Sequence, residues 1–301
     1  MGTGMKSIIC FGEVLWDVLP SGKKLGGAPL NVSLRVQSLG NRALMISSIG
    51  KDPLGEEIAQ TVKAHGGSLN HIQVTEKYPT SEVLVKLDED GTASYEIKMS
   101  CAWDHIELLE RDIRAVEASD ALVYGSLVTR SSRSWETLSA LLEHARFKVF
   151  DVNLRPPHYT PERIMQLIES ADFVKFNEEE LLEICDHLEF RDPSIETCIR
   201  FVSGRTGTDQ ICVTRGKDGA ILFYDKTFYY NPGYPVKVAD TVGAGDSFLA
   251  SIISQLLHGR KPQEAIDSAC AIGSIVASRS GANPEVTTEE VQTMIRSRPS
   301  G

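Results

Sequence analysis

The sequence predicts an α/β fold, with a mostly parallel central sheet covered by helices on both faces and a small extra β-layer. Three observations carry this. Strand-length apolar runs alternate with helical patterns through most of the 301 residues. Two stretches break that rhythm, one by alternating polar and apolar residues and one by lacking a helical period, and one glycine-rich loop runs straight into a helix.

Six runs read as buried strands, because they are short, apolar and rich in β-branched or aromatic residues: Ile8–Phe11, Leu44–Ile49, Ala121–Tyr124, Val149–Val152, Phe173–Phe176 and Ile211–Thr214. Between them lie helical patterns at Leu30–Leu39, Leu54–His65, Ser134–His144, Pro161–Ser170, Glu178–Leu188 and Ile195–Val202. Stop signals such as Gly40 and Gly66-Gly67 follow the first two. Strands and helices alternating at this spacing form parallel sheets with helical crossovers. The exceptions are Val14–Leu25, which lacks a helical period, and Ser81–Asp88, which alternates. The latter turns at Glu89-Asp90-Gly91 and alternates again over Ala93–Met99. One wet face is expected for such a hairpin. The chain therefore reads as one domain, 1–301, with a discontinuous β-layer from about 14–25 and 81–99. An edge extension of the main sheet is the alternative.

Composition narrows the function classes. With 41 Asp and Glu against 31 Lys and Arg the formal charge is −10, which disfavours nucleic acid or an anionic membrane as partner. Apolar residues at 42% and charged residues at 24% are those of an ordinary globular protein. Ser247–Gly259 and Ser268–Ser278 are the longest uncharged stretches, too short to span a bilayer, and read as core helices. The start resembles neither a signal peptide nor a myristoylation site, and Met5 offers an alternative beginning. The six cysteines show no metal-ligand spacing; Cys10, Cys212 and Cys270 fall in apolar segments, as buried thiols do. Cytoplasmic localisation is expected.

The chemistry concentrates at Asp240-Thr241-Val242-Gly243-Ala244-Gly245-Asp246-Ser247-Phe248. The stripe Phe248, Leu249, Ile252, Ile253, Leu256, Leu257 that follows marks a helix. A glycine loop at a helix start offers unpaired N–H groups and a dipole to an anion. Asp246, in the first turn, is expected to stay ionised and to accept a proton from an attacking hydroxyl. Taken alone, Asp246 reads as a simple helix-start acid; the nine-residue string is far more specific than its parts. Phe248 stands where a dinucleotide-binding fingerprint needs its third glycine, and no Walker A loop is present.

That string resembles the C-terminal signature of the ribokinase-like (PfkB) carbohydrate kinases. Gly26-Gly27-Ala28-Pro29-Leu30-Asn31-Val32 resembles their N-terminal one. Family-like pieces follow in order at Ile49–Asp52, Asp151–Arg155, Asn177–Glu180, Val213–Gly216 and Ser280–Pro284, so the resemblance spans nearly the whole chain. It implies a three-layer ribokinase-like fold whose β-layer is a lid, and a reaction with ATP and Mg2+. Asp246 would be the base, and the Gly243, Ala244 and Gly245 amides the anion hole. Asp17, Gly27 and Asn31 would hold sugar hydroxyls, while Arg155 could hold phosphate or sugar or serve a structural ion pair. Asn177 and Glu180 would organise magnesium and its waters, and Thr214, Gly216 and Gly219 would line the nucleotide. An ordinary hairpin turn remains the other reading of that last loop. Asp240, Val242 and Gly281 would hold a monovalent cation such as K+. Two departures bear on this: Cys270 replaces an Asn near the adenine, and Glu285 replaces a Ser near the cation, which leaves potassium activation open.

The context Gly12–Pro20, with Ala102-Trp103-Asp104, Gly125-Ser126-Leu127 and Asp151–Pro157, looks like the bacterial fructokinase branch. Fructose phosphorylated to fructose 6-phosphate by a lid-paired homodimer is thus expected. 2-Keto-3-deoxygluconate (held by Arg130 or Arg155), ribose and a nucleoside are alternative acceptors. A sugar-sensing relative without catalysis is a reading of another class, and a nicotinamide-dependent dehydrogenase is the last.

Overall fold

The computed structural model describes residues 4–19, 22–87 and 93–297, so the turn expected at Glu89-Asp90-Gly91 lies outside the described residues. The larger sheet runs, in spatial order, β13 (Thr227–Asn231), β12 (Ala220–Tyr224), β11 (Gln210–Thr214), β10 (Phe173–Asn177), β9 (Lys148–Asp151), β8 (Ala121–Gly125), β1 (Ser7–Phe11), β4 (Arg42–Gly50) and β5 (Ile72–Thr75). From β11 through β5 every pairing is parallel; β12 and β13 add antiparallel. Successive residues of β1 feed opposite layers: Ile8 and Cys10 pack into one core, Ile9 and Phe11 into the other. Strands covered on both faces need no polar side, which explains the unbroken apolar runs.

One layer holds α1 (Ala28–Ser38), α2 (Pro53–Ala64), α8 (Ala244–Leu257), α9 (Pro262–Ala277) and α10 (Thr288–Arg296). The other holds α3 (Glu110–Ala118), α4 (Ser132–His144), α5 (Pro161–Ser170), α6 (Glu178–His187) and α7 (Ile195–Thr206). Capping fixes several of their starts: Asp52, Thr160, Ser194 and Thr287 each accept a backbone N–H from the first turn. Helices α3 and α10 are strongly charged with a narrow apolar face, and each buries little beyond Val116 or Val291.

The segments 15–26 and 81–97 form a separate sheet ordered β3 (Gly22–Gly26), β2 (Leu15–Leu19), β6 (Ser81–Leu87), β7 (Ala93–Ile97). It is not an extension of the main sheet's edge. Within it Asp17 lies opposite Lys24 on β3 and Val83 on β6. In the main sheet the chain order reverses at β1, with β4 to one side and β8 to the other. Ligands of open parallel sheets bind at the carboxyl ends of strands, beside such a reversal. Gly12 and Glu13 leave β1 there, Gly125 ends β8, Asp151 ends β9, Asn177 ends β10 and Thr214 ends β11. The fold thus gathers scattered pieces of sequence onto one rim.

Candidate active site

Gly243 is the N-cap of α8 with φ 74°, and a side chain there would collide with Ala282. Only glycine combines that left-handed turn with that approach. A methyl at Gly245 would stand 3.5 Å from Lys175 Nζ, so the loop's open face looks onto an ammonium. The helix dipole and the ammonium both favour an anion at this loop, although the Ala244 N–H, expected to face it, is donated to the Thr241 carbonyl at 3.2 Å.

Asp246 follows in the first turn of α8. Asn31 Nδ2, from α1, donates to its Oδ2 at 2.8 Å, and Asn283 Nδ2 donates to Asn31 Oδ1 at 2.8 Å. Burial pushes the Asp246 carboxyl up to about 6, and Asp151 adds to it; the Asn31 hydrogen bond, Lys175 and Arg155 oppose. The helix dipole alone suggested an ordinary carboxylate. The structure instead gives one whose pKa sits just below neutrality, since desolvation and a neighbouring carboxylate outweigh its donors.

Around it the charge is unevenly shared. On β10, Lys175 donates to Asp151 Oδ1 at 2.8 Å, both side chains nearly inaccessible, and Asp151 Oδ2 is buried without a partner. Burial would pull the Lys175 ammonium down, but Asp151, Glu180 and Asp246 together raise it. Glu180 is itself pushed up, by burial first and by Asp151. Its Oε1 accepts from the Leu154 N–H at 3.0 Å and its Oε2 from the Asn177 N–H at 2.8 Å; Asn177 Oδ1 accepts from the Glu180 N–H at 2.8 Å. The Asn-x-x-Glu spacing therefore makes a capping box that bolts the start of α6 to the loop after β9. Asn153 in that loop takes φ 38°, a left-handed turn that Asn tolerates.

Beyond β1, Glu13 is buried with Oε2 unpartnered; burial raises its carboxyl to about 7, Asp246 raises it further, and Arg155 opposes. Burial likewise raises Asp17 to about 6, against Arg155 and Lys24. Arg155 is exposed and bonds the Leu154 carbonyl at 2.8 Å, and its charge is felt by Glu13, Asp17 and Asp246 together. Gly27 caps α1 at φ 106°, where a side chain would collide with the Glu13 carbonyl. Asp17, Gly27, Asn31, Arg155 and Asp246 thus lie in one neighbourhood, linked by the Asn31–Asp246 hydrogen bond, by the Gly27–Glu13 contact and by the reach of the Arg155 charge. Thr214, Gly216 and Gly219 lie in the β11–β12 hairpin, next to Asn177, which pairs in register with Thr214. At the outer edge Asp240 accepts from the Val242 and Gly281 N–H groups and from Lys24. Arg130, considered for a substrate carboxylate, is instead buried against Asp104.

Sequence reading missed Glu13, Lys24, Asp151, Lys175 and Asn283 as site members. A single lysine inside the apolar run Phe173–Phe176 was the available signal.

A buried acid beside a glycine loop at a helix start, over an ammonium, is an arrangement suited to phosphoryl transfer. The model of the pfkB family of carbohydrate kinases matches residues 6–289, and the chain belongs to that family. It is a sugar phosphotransferase. A fructokinase from Salmonella typhimurium is 28% identical over 267 residues, covering 84% of this chain and 85% of the relative. One from Escherichia coli is 26% identical over 304 residues, covering 90% and 93%. Among solved structures, a Vibrio cholerae O395 fructokinase double mutant in fructose-, ADP- and potassium-bound form superposes with TM-score 0.84 at 22% identity, covering 98% and 100% of the two chains. An aminoimidazole riboside kinase from Salmonella enterica, complexed with aminoimidazole riboside and an ATP analogue, gives 0.81 at 20% identity, covering 96% and 100%.

Proposed function

We propose that the enzyme transfers the γ-phosphoryl group of ATP to a hexose hydroxyl, converting D-fructose to fructose 6-phosphate. The observation that carries this is Asp246, fixed through Oδ2 by Asn31 at the start of α8, with its pKa near 6. Oδ1 is then the acceptor offered to the hydroxyl. As the hydroxyl oxygen bonds to the γ-phosphorus, its proton passes to Asp246 and the bond to the ADP oxygen breaks. A loose transition state asks for only a weak base. The Gly243 and Gly245 amides, with Lys175 beneath, receive the charge on the transferred group, while the Ala244 amide holds the turn through the Thr241 carbonyl.

Thr214, Gly216 and Gly219 line the nucleotide. Magnesium fits the acidic side of the site through the orphaned Asp151 Oδ2 and the negative charge around Lys175, although no three acids among the described residues form a ready-made metal cluster. Asp151 and Glu180 would hold it through water, beside Asn177. When bound it neutralises phosphate charge.

Asp17, Gly27, Asn31 and Arg155 hold the sugar, and the four-stranded sheet closes over it, excluding water from the reacting phosphate. The sheet's free edges, β3 and β7, support pairing between two copies. Fructose is favoured by the fructokinase relatives. A riboside is the second acceptor to consider, since the riboside kinase shares the fold. Arg130 does not serve a keto-acid substrate, being spent on Asp104. The test is turnover with ATP and Mg2+ against fructose, ribose, 2-keto-3-deoxygluconate, adenosine and glucose. The highest kcat/KM is expected for fructose, and a higher value for any other acceptor overturns the assignment.

A further inference from the structure

Asp240 opens the loop that leads into the anion hole, and both of its carboxylate oxygens are engaged. Oδ1 accepts from the Val242 N–H at 3.0 Å, and Oδ2 from the Gly281 N–H at 3.2 Å and from Lys24 Nζ at 2.8 Å. The lysine arrives from the other sheet, 216 residues away in sequence. Its carboxylate partner is the more buried of the two, at 17% side-chain exposure against 36%. Such a pair is worth little on a flat surface, but here the acid also takes two backbone donors and has little water left. Burial pushes the Asp240 carboxyl up, and the bonds from Lys24, Val242 and Gly281 more than reverse it.

This is where the family resemblance put a monovalent cation. A potassium ion on Asp240 Oδ2 would share that oxygen with the Lys24 ammonium, 2.8 Å from it, and one on Oδ1 would stand across the same carboxylate from the ammonium; in either place the two cations repel. The Val242 and Gly281 groups facing the carboxylate are donors, which a cation cannot use. The residues present do not fit potassium while Lys24 stays in place.

We infer that Lys24 is a tethered substitute for a monovalent cation: its ammonium neutralises Asp240, so the enzyme works without potassium. The substitution carries a second consequence. Lys24 sits opposite Asp17 across the β2–β3 ladder, so the strand pair that brings Asp17 to the sugar also brings the charge to Asp240. Docking the small sheet and setting the anion-hole loop become one event.

The test compares the purified enzyme with Lys24→Ala and Lys24→Gln in choline, Na+ and K+ chlorides at equal ionic strength, by two readouts. The kinase rate rests on the function proposed above. Melting temperature does not, so failure of that function leaves the second readout standing. For the unsubstituted enzyme, rates within about twofold across the three salts and an unchanged melting temperature are expected. Both variants should lose about tenfold or more in choline, recover at least half of that loss in K+, and melt higher in K+ than in choline. A several-fold potassium stimulation of the unsubstituted enzyme would overturn the inference. So would variants whose melting temperature ignores potassium.

Discussion

Arg130–Asp104 and Lys175–Asp151 are both buried ion pairs, yet their surroundings differ. Arg130 donates from Nε and Nη2 to the two Asp104 oxygens at 2.8 Å each, reaches the Lys98 carbonyl at 2.6 Å, and stacks 4.1 Å over Trp103. One cation meets one anion in the bidentate geometry that guanidinium favours. Lys175 makes a single 2.8 Å contact to Asp151 and also feels Glu180 and Asp246. Three acids share one ammonium. Each pair leaves a buried atom without a partner, Arg130 Nη1 in the first and Asp151 Oδ2 in the second, but only the second adds surplus charge of the sign that a cation relieves. The first cluster braces the loop after the small sheet. The second leaves negative charge that its one ammonium does not balance.

The largest expected effect breaks the comparison at its centre. Asp246→Asn should lower kcat by about 10²- to 10⁴-fold, the usual worth of a general base, while the nucleotide dissociation constant stays within about threefold. Near-normal turnover in this variant would remove Asp246 from the role of base.

Deleting each cation separates structure from chemistry. Arg130→Met and Lys175→Met should each cost about 3–5 kcal/mol in stability, because a carboxylate is left buried and unpaired. Measured well below its melting temperature, Arg130→Met should retain kcat within about threefold. Lys175→Met should lose about 10²-fold, the scale of one oxyanion donor, and its kcat/KM profile should move to higher pH, since Lys175 is among the groups that hold Asp246 down. Equal kinetic losses in the two variants would erase the distinction.

A smaller effect lies in pH. Glu13, raised to about 7, and Asp17 and Asp246, each raised to about 6, bind protons more tightly folded than unfolded. Their contribution to stability is therefore greatest in acid and is lost as pH rises through roughly 4 to 7. Glu13→Gln should flatten that decline, regaining up to about 3 kcal/mol at pH 8. It should also shift the rising limb of kcat/KM to lower pH, because Glu13 and Asp246 repel. Thermal melts from pH 5 to 8 on both proteins read the first effect. A variant whose stability falls as steeply as the parent's would show that Glu13 is not the group responsible.

How far the sequence carried follows from where the chemistry lies along the chain. Gly243–Asp246 was legible because anion hole and acid are contiguous, and the Asn177–Glu180 box because its spacing is local. Asp151, Lys175, Glu13 and Asn283 meet only through the parallel sheet, each at the end of a different segment, and no short window holds two of them. Lys175 was hidden by its strand, where one charge among Phe173, Val174 and Phe176 reads as noise until the partner from β9 is known. The doubly covered strands showed as continuous apolar runs. Edge strand β13, half-exposed over Phe228 and Tyr229, and the charged helices α3 and α10 gave no comparable signal. The small sheet was readable as a β-layer assembled from two separated segments; what stayed hidden was its strand order, since the parallel pairing of β2 with β6 joins residues some 65 apart.

The smallest expected effect concerns the relay behind the base. Asn283 donates to Asn31, which donates to Asp246, while Asn283 Oδ1 is buried and unpartnered. Asn283 touches no reacting atom, so it acts by fixing the rotamer of Asn31 and turning its Nδ2 toward the carboxylate. Asn283→Ala frees that rotamer and weakens one of the interactions holding the Asp246 pKa down. A loss of about three- to tenfold in kcat at pH 6.5 is expected, shrinking toward pH 8 where Asp246 is ionised in either case. Asn283→Asp should keep the size but not the donor, and should behave like the alanine variant. A loss independent of pH would mean that Asn283 merely supports the fold of the 280–284 loop, and the relay would have no part in setting the base.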